Sequence, residues 1–129
     1  MKSLIIAPAV AVMTLLVTGT AFAHHSFAMF DAQKVVTVDG TVKEFQWANP
    51  HSWIQLVVKD PSGKPIEWSI EGGSPNVLVR QGWRKTSMKP GDEAQVTIHP
   101  MKDGTPGGSL IKASVNGQPI GSGAAVNAE

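Results

Sequence analysis

Apolar and polar residues alternate with a period of two in short runs separated by Gly, Pro, Asp and Asn, and this pattern limits the fold most. Val36, Val38 and Val42 mark the first run, Ile54, Leu56 and Val58 the second, and Ile66, Trp68 and Ile70 the third. Ala94, Val96 and Ile98 follow in a fourth, and Leu110 to Val115 makes a fifth. Each run suits one half-buried strand. A single helical signal interrupts them: Ser74-Pro75 reads as an N-cap followed by Pro at the first helical position, and Gly82 stops the turn that covers Asn76 to Gln81. With no Cys in the chain, the strands must be held by a packed core rather than by disulfides.

The first run poses a choice. Asp39-Gly40 between alternating residues is a hairpin signal. A two-residue turn there would put Val42 on the face opposite Val36 and Val38, whereas one continuous strand keeps Val36, Val38, Gly40 and Val42 together. The apolar parity then shifts to Phe45 and Trp47, as a bulge near Lys43 and Glu44 would produce. A long, bent first strand is therefore expected. Asp60-Pro61-Ser62-Gly63 turns the second strand into the third, and Lys89-Pro90-Gly91-Asp92 precedes the fourth. Lys102 to Gly108 reads as a flexible connection. The order strand, strand, strand, helix, strand, strand is that of an all-β domain with one short helix, a small five-stranded OB-fold-like Greek-key barrel. A small β-sandwich carries the same strands, but the lone helix between strands three and four favours the barrel.

Ahead of these runs, Lys2 is followed by an uncharged stretch from Ser3 to Phe22 and by Ala21-Phe22-Ala23, the pattern of a secretory signal with a small-residue cleavage site. The sequence thus divides into a signal peptide at 1–23, a leader at 24–34, the barrel at 35–116 and a tail at 117–129 that is rich in Gly and Ala and expected to be flexible. Cleavage after Ala23 leaves 106 residues beginning at His24, with ten basic and ten acidic side chains. That balance removes the basic footprint of a nucleic-acid binder, and the mature chain holds no run long enough to span a membrane. The expected location is the periplasm.

All four histidines belong to this mature chain: His24 and His25 at its start, His51 before strand two and His99 at the end of strand four. In an OB barrel the loops between strands one and two and between strands four and five flank one ligand face, which would make His51 and His99 neighbours. A leader folded over that end adds the new α-amine and the ring of His24, a histidine brace, with His25 beside it. An all-nitrogen set of this kind suits one Cu(II) ion, and the thioethers of Met29 and Met101 would tolerate Cu(I). The plainer reading is that His51 and His99 are solvated strand ends and that His24-His25 simply follows a cleavage site.

Four Trp occur without a Tyr. Trp68 and Trp83 read as core. Trp47 and Trp53 flank Ala48-Asn49-Pro50-His51, and Trp53 shares strand parity with His51 and Gln55, so the pair either contacts a ligand or covers the barrel mouth, the commoner use of Trp. Catalytic constellations are poor: Ser26, Ser52 and Ser109 lack a nucleophile context, and Gly72-Gly73 before the helix lies next to Glu71, which opposes anion binding. Arg80, Arg84, Lys85 and Lys89 read as a solvated face.

Two sets of motifs carry a resemblance. His24-His25-Ser26-Phe27 with Phe30-Asp31, Gly40-Thr41-Val42, Trp47-Ala48-Asn49-Pro50-His51, and Trp68 with Glu71-Gly72 form the first; Arg80-Gln81-Gly82-Trp83, Lys89-Pro90-Gly91-Asp92 and His99-Pro100 through Gly107-Gly108 form the second. Together they resemble a family of small exported bacterial proteins classed as a domain of unknown function, over essentially the whole mature chain. The resemblance implies one exported domain and no established activity. At the level of fold the chain is also similar to periplasmic copper chaperones built on an OB barrel, in which His and Met beside a Trp hold the metal, although their ligand spacing is absent. The leading expectation is a non-catalytic periplasmic copper-binding protein using His24, His51 and His99 with Met101 or Met29. The alternative is a metal-free module of the cell envelope that uses the face around Trp53 and Gln55 for a peptide, glycan or partner protein.

Overall fold

The computed structural model describes residues 28–122. Within them β1 (Val36–Gln46), β2 (Trp53–Lys59) and β3 (Pro65–Glu71) are followed by a short helix, α1 (Pro75–Arg80), and then by β4 (Glu93–Pro100), β5 (Gly107–Val115) and a two-residue β6 (Gln118–Pro119). The sheet runs β3-β2-β1-β4-β5-β6, and a parallel pairing of β3 with β5 closes the first five strands into a barrel. The expected five-stranded barrel with one helix is the observed architecture.

β1 serves both halves of the barrel. Val36 to Thr41 pairs with β4, and Thr41 to Gln46 pairs with β2. A register shift between Val42 and Glu44 leaves Lys43 as the extra residue, which bends the strand where the apolar parity changes. Gly40 lies three residues before the extra residue, where β1 comes close to β2. A β-carbon there would sit 2.5 Å from the Val57 carbonyl oxygen and 2.8 Å from Leu56 Cγ, so only hydrogen fits.

Val42, Ile54, Leu56, Ile70, Val96, Ile98 and Leu110 fill the barrel, each no more than 1% exposed. Leu78 from α1 and Trp83 from the turn behind it join the same core. Ser74 caps α1 by accepting a hydrogen bond from the Val77 amide, and Pro75 opens the helix. Both features follow the sequence pattern.

Two stretches differ from it. Gly107 and Gly108 are buried residues of β5 rather than part of a flexible connection. A β-carbon on Gly108 would collide with the His99 carbonyl oxygen, and one on Gly107 would crowd the Ser69 carbonyl, so these glycines permit close contact of β5 with β4 and with β3 across the barrel seam. The fold also continues past residue 116. Asn116 and Gly117 take φ values of 50° and 80°, the backbone of a type I′ turn, and pair β6 with the end of β5. Ile120 is then buried at 9% exposure, and the Ser122 amide donates to the Gln81 carbonyl. The Asn-Gly pair is the physical reason the chain returns instead of leaving the barrel. No helix among the described residues is long and apolar enough to cross a membrane.

Candidate functional site

Ile54, Ile70, Ile98 and Leu110 face the core, so their strand neighbours Trp53, Glu71, His99 and Ser109 point outward. Strand register sets these four side by side. Trp53 is opposite Glu71, Glu71 is opposite Ser109 across the seam, and Ser109 is opposite His99. Two interstrand steps, about 10 Å between Cα positions, separate Glu71 from His99. The row lies on the outer wall of the barrel.

Glu71 and Ser109 are 6% and 4% exposed although they point away from the core. Just before β2, His51 folds over Glu71: its Nδ1 is 3.3 Å from Glu71 Oε1 and 3.3 Å from the Gly72 carbonyl oxygen. Both partners accept, so Nδ1 carries the proton and donates. The Asn49–Pro50 bond in the preceding turn is cis. Ser52 is 1% exposed, and its hydroxyl has no hydrogen-bond partner among the described residues. Its main chain is fixed, however, because the Ser52 amide donates to the Gly73 carbonyl and the Gly72 amide donates to the Ser52 carbonyl. The Gly72 amide is thereby used within the fold.

His99 is held in the same manner. Its Nδ1 lies 2.8 Å from the Lys34 carbonyl oxygen, which can only accept. The segment before β1 runs along this edge: the Asp31 amide donates to the Pro100 carbonyl, the Lys102 amide donates to the Met29 carbonyl, and Phe30 bridges to Met101. Phe30 is 6% exposed. Met101 thus stands two residues from His99 beside the segment that contains Met29.

Strand register therefore places Glu71 and Ser109 between the His51 side and His99, in a row at the start of β2, the end of β3, the end of β4 and near the start of β5. His24 and His25 lie outside the described residues. Among the described residues no three His, Asp or Glu side chains gather as a metal-holding group. The two tryptophans part company: Trp53 stands in the outer row, whereas Trp47 packs edge-on against Phe45 with centroids 5.7 Å apart. Glu71 and Ser109 were not singled out as site residues by the sequence, because their placement depends on the β3–β5 register, which no spacing reveals.

A family of unknown function, DUF6152, matches residues 12–111. The chain belongs to DUF6152. The region shared with DUF6152 includes His51, Glu71, His99, Met101 and Ser109, and it ends before β6. No curated protein and no solved structure matches the chain.

Proposed function

We propose that this DUF6152 chain is an exported, non-catalytic copper-binding protein whose site is built around His51 and His99. One observation carries the reading. Each ring has its Nδ1–H engaged by a protein oxygen, Glu71 and Gly72 for His51 and Lys34 for His99, which leaves the Nε2 lone pair available. Metal-ligating histidines are commonly oriented this way, by a carboxylate or carbonyl on the nitrogen that does not bind. Imidazole nitrogens suit Cu(II), and the Met101 and Met29 thioethers beside the His99 edge suit Cu(I).

Two imidazoles alone make a weak site. In this reading the rest comes from the leader, through the α-amine and ring of His24 once the signal is removed after Ala23, with His25 as a further donor. The periplasmic location belongs to the same proposal, since cleavage creates the amine.

Chelator-competition titration of processed protein, with its start at His24 verified by mass, tests it. The expected result is one Cu(II) per chain, with affinity reduced tenfold or more by an extra Met before His24, by His51→Ala and by His99→Ala, in the range of about 1.4 kcal/mol per factor of ten. Equal affinity in all four proteins would end the proposal.

A further inference from the structure

A concave surface lies at the C-terminal end of α1 and shares no residue with the histidine row. Its volume is about 590 Å³, within the range of ligand clefts. Trp83, 2% exposed, is the most deeply buried of its lining residues. Trp47 forms a wall, and Phe45 buttresses both indoles with ring centroids 5.7 Å from Trp47 and 6.0 Å from Trp83. Val79 adds an apolar edge that is 58% exposed, one of three large hydrophobic side chains so exposed among the described residues. Arg84, Lys85 and Thr86 complete the lining.

The two cations have no evident structural task. The Leu78 and Val79 carbonyls in the last turn of α1 are already satisfied, because the Gln81 and Trp83 amides donate to Leu78 and the Gly82 amide donates to Val79. Arg84 is fixed through its backbone by the Ser87 hydroxyl at 2.8 Å, and neither Arg84 nor Lys85 forms an ion pair with an acid among the described residues. Among the described residues no Asp or Glu lines the cleft. A solvated pair of cations is ordinary by itself. Here the pair borders an aromatic wall and an exposed valine, which together ask for a ligand with both negative charge and an apolar group.

We propose that this cleft binds an acidic peptide segment of a partner protein, with one apolar side chain against Trp47 and Val79 and flanking carboxylates on Arg84 and Lys85. The charge complementarity selects the occupant: arginine pairs with carboxylate through two parallel N–H donors, lysine adds a second positive point, and the aromatic wall supplies the apolar anchor. Thr86 offers a hydroxyl for the peptide backbone. The site involves none of the proposed copper ligands, so it is tested on metal-free protein.

The probe is a fluorescein-labelled hexapeptide, Asp-Glu-Leu-Val-Glu-Asp, blocked at its C-terminus and titrated into the EDTA-treated chain while anisotropy is followed. Saturable binding is expected, with affinity falling at least tenfold for the Arg84→Gln/Lys85→Gln double variant and for Val79→Asp. These side chains are exposed, and unchanged melting curves verify that the variants fold. A peptide with Lys at the four acidic positions should not bind. The proposal is overturned by absence of saturable binding, by equal binding of the basic peptide, or by affinity that survives the double variant. Binding that appears only after removal of residues 123–129 also overturns it, because the occupant would then be the chain's own C-terminal segment.

Discussion

His51 Nδ1 stands 3.3 Å from Glu71 Oε1, and the glutamate side chain is 8% exposed. A buried carboxylate here engages one nitrogen of an imidazole whose side chain is 34% exposed. Glu71→Gln keeps the size of the side chain and removes the charge. On the proposed function it should lower copper affinity about tenfold, the low end of effects seen when such an orienting partner is changed. His51→Ala in the same background should add less than it does alone, since the two act as one unit. Competition titration of the single and double variants measures both statements, and strictly additive losses would separate Glu71 from the site.

Gly40 of β1 lies tight against Val57 and Leu56 of β2. Gly40→Ala should destabilise the fold by about 1–3 kcal/mol, because the new methyl meets a backbone oxygen that cannot swing away. Urea unfolding followed by tryptophan fluorescence gives the value. Gly63→Ala is the useful contrast: nothing lies within 4 Å of its β-carbon, but φ is +85°, so any loss there reflects backbone conformation alone.

The bend itself was legible in the sequence, since a change of apolar parity between Val42 and Phe45 has few explanations other than an extra residue in the strand. The helix was legible for the same reason: Ser74, Pro75 and Gly82 each have a local conformational preference. Long-range register was not. Nothing between Glu71 and Ser109 in the sequence shows that β3 and β5 pair in parallel, and without that seam the outer row of Trp53, Glu71, Ser109 and His99 has no counterpart in the pattern. The C-terminal hairpin lies between these cases. Asn116-Gly117 is a strong I′ signal, yet only Gln118, Pro119 and Ile120 stand between it and Gly121, too few residues to show an alternation.

Ile120 is the apolar contact that holds this last hairpin down. It packs with the core cluster, and its amide donates to the Ala113 carbonyl. Ile120→Ala should cost about 2 kcal/mol, the lower part of the range for truncating a buried aliphatic side chain, because the site borders the surface. The urea midpoint should fall with an unchanged slope. A loss below about 0.5 kcal/mol, typical of surface positions, would show that the segment after Asn116 contributes little to the folded state.

Asp60 provides a test of local electrostatics in the β2–β3 turn. Its carboxylate accepts from the Ser62 hydroxyl at 2.6 Å, from the Lys64 amide at 2.9 Å and from the Ser62 amide at 2.8 Å, and these bonds hold its pKa below the ordinary value. A carboxyl whose folded pKa is depressed stabilises the fold above its unfolded pKa, about 3.9, and loses that contribution as pH falls through the folded value. Asp60→Asn removes the charge while keeping one acceptor oxygen. The stability difference between wild type and Asp60→Asn should therefore be constant near neutral pH and shrink below about pH 4. Thermal unfolding of both proteins across that range reads the difference. A gap that widens on acidification would reverse the sign and refute this account of the turn.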